Sequence, residues 1–63
     1  MKTYIVYASN GLKLVKVGIA CMGGFEAAER VGMESLRSMG YTDYKCLDVV
    51  EGFKDTNIGI IEP

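Results

Sequence analysis

Thr3-Tyr4-Ile5-Val6-Tyr7-Ala8, then Ser9, Asn10-Gly11 and Leu12-Lys13-Leu14-Val15-Lys16-Val17-Gly18-Ile19, is the stretch that decides the fold. Both runs are rich in residues that suit a pleated, half-buried surface. Asn-Gly between two such runs is a strong hairpin signal, because a tight type I′ turn needs φ > 0 at both central positions. With Asn10 and Gly11 as the turn, Ser9 pairs with Leu12, Tyr7 with Leu14, Val6 with Val15 and Tyr4 with Val17. Side chains alternate across a strand, so this register assigns faces. One face carries Tyr4, Val6, Val15, Val17 and Ile19. The other carries Ile5, Tyr7, Leu12 and Leu14, with Lys16 among them. Both faces are substantially apolar.

Gly23-Gly24 breaks the strand pattern, and Phe25 to Met39 reads as a helix. Phe25, Ala28, Val31 with Gly32, Ser35 with Leu36, and Met39 recur at helical spacing. Glu26 and Arg30, and Arg30 and Glu34, stand four apart and can pair on the solvent side. Glu26 and Glu29 in the first turns suit the positive end of the helix dipole. Gly40 is placed to end the helix in a left-handed cap, with Tyr41 folding back over the last turn. Gly32 costs the helix about 1 kcal/mol relative to alanine, and close packing of helix on sheet is its expected reason.

Thr42-Asp43 is a connector, and Tyr44 to Glu51 is a third strand ended by Gly52. Strict alternation puts Leu47 and Val49 on one of its faces and Tyr44, Cys46 and Val50 on the other. In the last stretch, 53–63, Asn57 to Ile61 is either a short edge strand or part of a loose tail that docks on a partner. The expected fold is therefore α+β: one domain over residues 1–63, with a small three-stranded antiparallel sheet in the order β-β-α-β, a fourth short edge strand left open, and one helix on one face.

One helix covers one face of such a sheet, yet the sequence has apolar side chains for two. Contiguous exposed apolar surface usually marks an interaction site. Ile5, Tyr7, Leu12, Leu14, Lys16 and Tyr44 are the expected binding surface, with tyrosine favoured there for its large area and its hydroxyl. A chain of 63 residues buries only roughly 60% of its unfolded surface, so support from a partner chain is expected.

Composition narrows the chemistry. The chain has no histidine, two cysteines and a net charge of −1. Met1 to Ala8 has no apolar signal region or cleavage site, which points to a reducing cytoplasm where structural disulfides are rare. Cys21 and Cys46 lack CxxC spacing, and zinc would need two carboxylates beside them. No metal or cofactor is expected. Cys21, just before the glycine pair and the helix, could be activated as a thiolate, but the commonest catalytic base is missing. The same absence leaves Ser9, Ser35 and Ser38 without a Ser-His pair. Met22-Gly23-Gly24-Phe25 could cradle an anion ahead of the helix, but lacks the glycine pattern and lysine of a phosphate loop. Asp43 with Asp48, and Glu51 with Asp55, show no calcium-loop spacing. The charge balance argues against nucleic acid, and no apolar run is long enough for a membrane span. These readings point to binding rather than catalysis as the expected function.

Two resemblances add to this. The hairpin, the helix start Phe25-Glu26-Ala27-Ala28-Glu29-Arg30 and the strand Tyr44-Lys45-Cys46-Leu47-Asp48-Val49-Val50 resemble small phage-encoded proteins of strand-strand-helix-strand order. That resemblance implies a non-enzymatic modulator of a larger host protein. Separately, Tyr4-Ile5-Val6-Tyr7, Leu14-Val15-Lys16-Val17-Gly18 and Arg30 resemble the front of the GIY-YIG nuclease fold. It implies a truncated nucleic-acid-binding relative using Tyr4, Lys16 and Arg30, without the later helix that carries the metal-binding glutamate. The leading expectation is a protein-binding module, as a homodimer or bound to a larger protein.

Overall fold

The computed structural model describes residues 2–52 and the backbone of 59–61. Strand β1 (Lys2–Ser9) and strand β2 (Leu14–Cys21) form the hairpin. Helix α1 (Gly24–Ser38) follows, then strand β3 (Lys45–Glu51) and the short strand β4 (Gly59–Ile61). The sheet order is β3-β1-β2-β4, and every neighbouring pair is antiparallel. The fold is α+β, with one helix packed against one face of the sheet. The chain leaves β2, crosses β1 through α1, and returns as β3 on the far side of β1. The edge-strand reading of the tail holds for Gly59–Ile61, which pairs with Lys16–Gly18. The docking-tail reading falls on 53–63, of which 53–58 and 62–63 lie outside the described residues.

The hairpin register differs from the expected one by two residues. Ser9 faces Leu14, Tyr7 faces Lys16, Val6 faces Val17 and Tyr4 faces Ile19. The turn centres on Gly11-Leu12 rather than Asn10-Gly11, because Asn10 acts as its clamp. The Asn10 N–H donates to the Lys13 carbonyl (3.2 Å). The Asn10 Oδ1 accepts from the N–H groups of Leu12 (2.9 Å) and Lys13 (2.7 Å). Gly11, at φ +93°, takes the first central position, where type II′ turns favour glycine. A shift of two preserves the side-chain alternation, so the expected faces survive. Leu12 is the exception: it lies in the turn and is 92% exposed.

The core lies between helix and sheet. Tyr4, Val6 and Ala8 from β1 meet Val15, Val17, Ile19 and Cys21 from β2 and Ala28, Met33 and Leu36 from α1. Met33 belongs to this core although the expected stripe omitted it. Phe25 and Met39, at the ends of that stripe, are largely exposed. Phe25 still meets the buried Tyr4 ring edge-on, with centroids 5.4 Å apart. The helix ends in a Schellman motif: the Tyr41 N–H donates to the Leu36 carbonyl (2.9 Å) and the Gly40 N–H to the Arg37 carbonyl (3.1 Å). On its outer side Glu26, Arg30 and Glu34 are exposed and form no ion pair among the described residues. The ion pair there links Lys2 to Glu51 across the sheet (3.6 Å).

Strand β3 departs most from expectation. Tyr7 faces Asp48, but Ala8 faces Cys46, so a bulge at Leu47 interrupts the alternation. Cys46 and Val49 pack against the core, whereas Asp48 and Val50 align with Tyr7 and Ile5 on the other face. Strict alternation had joined Cys46 to Val50. Tyr44 is likewise corrected: it packs against the core and meets Tyr41 edge-on at 5.2 Å.

Candidate functional site: the open sheet face

Among the described residues, no element covers the sheet face opposite α1. Cross-strand register orders its side chains in rungs. Asp48, Tyr7 and Lys16 form one rung, from β3 through β1 to β2. Val50, Ile5 and Gly18 form the next. Lys45, Ser9 and Leu14 form a third, at the hairpin end. Ile5, Tyr7 and Lys16 are half-buried by their neighbours, while Leu14 and Val50 are each 41% exposed. The face thus has an apolar middle, with Asp48 and Lys16 on either side of Tyr7 and Lys45 at the hairpin end. The Asp48 Oδ1 also accepts from the Val49 N–H (2.9 Å).

Of the expected surface, the structure brings together Ile5, Tyr7, Leu14 and Lys16. Leu12 stands apart at the hairpin tip, and Tyr44 has joined the core side. Val50 and Asp48 complete the face; the expected binding surface included neither, although Val50 was expected on the same side of β3 as Tyr44. Nothing local announces the bulge, which turns Cys46 and Tyr44 to the core side instead.

The nuclease-like positions do not converge. Tyr4 is 2% exposed beneath the helix, Lys16 is on the opposite face, and Arg30 points to solvent from α1. Elsewhere, Lys2, Tyr4, Cys21, Met22, Gly23 and Gly24 line a concavity of about 280 Å³ at the start of the helix. Gly23 caps that helix in a left-handed conformation, φ +109°, without a side-chain hydrogen bond. Cys21 is buried at its edge. Among the described residues, no three histidine, cysteine, aspartate or glutamate side chains gather in a way that could hold a metal ion. No helix there is long and apolar enough to cross a membrane.

No protein-family model matches the chain, and neither curated proteins nor solved structures give a match to it.

Proposed function

We propose that the chain is a non-enzymatic protein-binding module that works through its open sheet face. The observation that carries this reading is the alignment of Ile5, Tyr7, Leu14 and Val50 on one uncovered face. Apolar side chains scattered singly on a surface mean little, whereas these stand on adjacent strands in consecutive rungs. Asp48 and Lys45 on the edge strand β3 supply a polar margin, in keeping with the apolar centre and polar edge of protein interfaces. A domain of 63 residues has little stability to spare, and binding to the native face adds to it by mass action. The nucleic-acid reading has no comparable support, since its three positions face three directions.

A photo-crosslinking benzoylphenylalanine at position 7 tests this, with the same group at exposed Glu34 as control. It is applied to the purified chain and to a cell lysate. The expected result is a protein adduct from position 7, absent from position 34 and lost with Leu14→Asp, while circular dichroism confirms that the variants fold. No adduct from position 7 in either setting, or equal adducts from both positions, rejects the reading.

A further inference from the structure

The open face is matched to itself. Asp48 and Lys16 stand on either side of Tyr7 in one rung. Neighbouring strands lie about 4.8 Å apart, which sets the two charges about 10 Å apart with the phenol between them. The adjoining rung has the same asymmetry in shape: branched Val50 on one side of Ile5, and Gly18 with no side chain on the other. In these two rungs the β3 side of the face is the complement of the β2 side in charge and in volume; in the third, at the hairpin end, Lys45 stands opposite Leu14.

A half-turn about a line along β1 exchanges those two sides. Resting on the protein-binding reading above, we propose that the occupant of the face is a second copy of this chain, packed sheet on sheet about a two-fold axis along β1. Lys16 then lies over Asp48 of the second copy, and Asp48 over its Lys16. Val50 sits over the second copy's Gly18. Tyr7 and Ile5 meet their own counterparts on the axis. This is an isologous contact, in which one patch is its own complement. Aligned sheet packing keeps strand directions within about 30°, which this axis allows. A two-fold axis across the strands through the Tyr7 rung instead stacks Lys16 on Lys16 and Asp48 on Asp48, and like charges in an interface repel. Orthogonal packing leaves both charges without a partner.

The contact is small. The patch over β3, β1 and β2, three strands by seven residues, spans about 14 Å by about 23 Å, well short of the roughly 800 Å² per partner of a standard interface. Association is therefore weak and dependent on concentration.

The test uses light scattering over a range of concentration, with energy transfer between labelled copies. The wild-type chain dimerises. Lys16→Asp and Asp48→Lys each weaken the dimer at least tenfold, and mixing the two variants restores association. The double reversal dimerises alone as the wild type does, yet forms no mixed dimers with it, because each charge then meets its like. Free mixing of wild type with the double reversal overturns the axis. So does a dimer that Leu14→Asp dissociates but neither charge reversal affects. A chain that stays monomeric at every concentration overturns the second copy as occupant. An adduct from position 7 with a different protein would then leave the protein-binding reading standing.

Discussion

A Cβ placed on Gly32 would lie 2.7 Å from Cγ2 of Val6 and 2.9 Å from its Cβ. Helix and central strand therefore meet where only a hydrogen atom fits. Val6 is fully buried between β2 and β3 and has little room to give.

Gly32→Ala should destabilise the protein despite its helix propensity. Alanine gains about 1 kcal/mol in a helix interior, while overpacking a core costs about 1–3 kcal/mol. At this separation the clash wins, and a net loss of up to about 2 kcal/mol is expected. Urea unfolding measures it. Combined with Val6→Ala, the loss should fall below the sum of the single changes, as coupled neighbours require. Simple additivity would mean that the two residues do not share this contact.

Gly40→Ala should destabilise for a different reason. Gly40 has φ +100°, and an added Cβ would meet nothing within 4 Å. The cost is conformational alone, about 1 kcal/mol. Asparagine tolerates left-handed backbone better, so the urea midpoint of Gly40→Asn should lie between those of wild type and Gly40→Ala. Equal midpoints for the two variants would count against a left-handed cap.

Asn10 should matter to the hairpin and Leu12 should not. Removing the amide with Asn10→Ala frees two backbone donors and should cost about 0.5–1 kcal/mol, the low range because water reaches them. Asn10→Asp keeps the acceptor and most of the stability. Leu12→Ser touches a side chain that is 92% exposed and should change stability by less than about 0.5 kcal/mol. Thermal unfolding of the three variants reads this ranking directly.

These positions also show what the sequence discloses. The hairpin, the helix and the Gly40 cap were legible because their signals are local: alternation, 3.6-residue spacing, a glycine in the right place. The two faces were legible although the register was not, since a two-residue shift returns every side chain to its own side. The shift itself depended on whether Asn10 acts as a turn residue or as a clamp, and both roles suit asparagine. The bulge at Leu47 has no local signature, so Tyr44 and Cys46 were grouped with Val50 although they pack on the core side. Met33 lies three residues before Leu36 and beside Gly32, so the buried stripe of Ala28, Gly32, Met33 and Leu36 is wider than the line drawn through Gly32.

The last expectation concerns Cys46. Burial, and next the negative charge of Glu29, push its thiol above the ordinary value of 9.0, outweighing the backbone hydrogen bond with Asp48 that pulls the other way. A thiol with a raised folded pKa keeps its proton after the unfolded chain has lost its own. Its contribution to stability is thus complete below pH 9.0 and is lost as pH rises through the raised folded value. Two measurements follow in a Cys21→Ala background. At pH 8, iodoacetamide should modify Cys46 more slowly in the native chain than in urea, since the thiolate is the nucleophile. Glu29→Gln should speed the native reaction without changing the rate in urea. Native and denatured rates that agree, or a rate indifferent to Glu29, would remove the electrostatic link between the helix and β3.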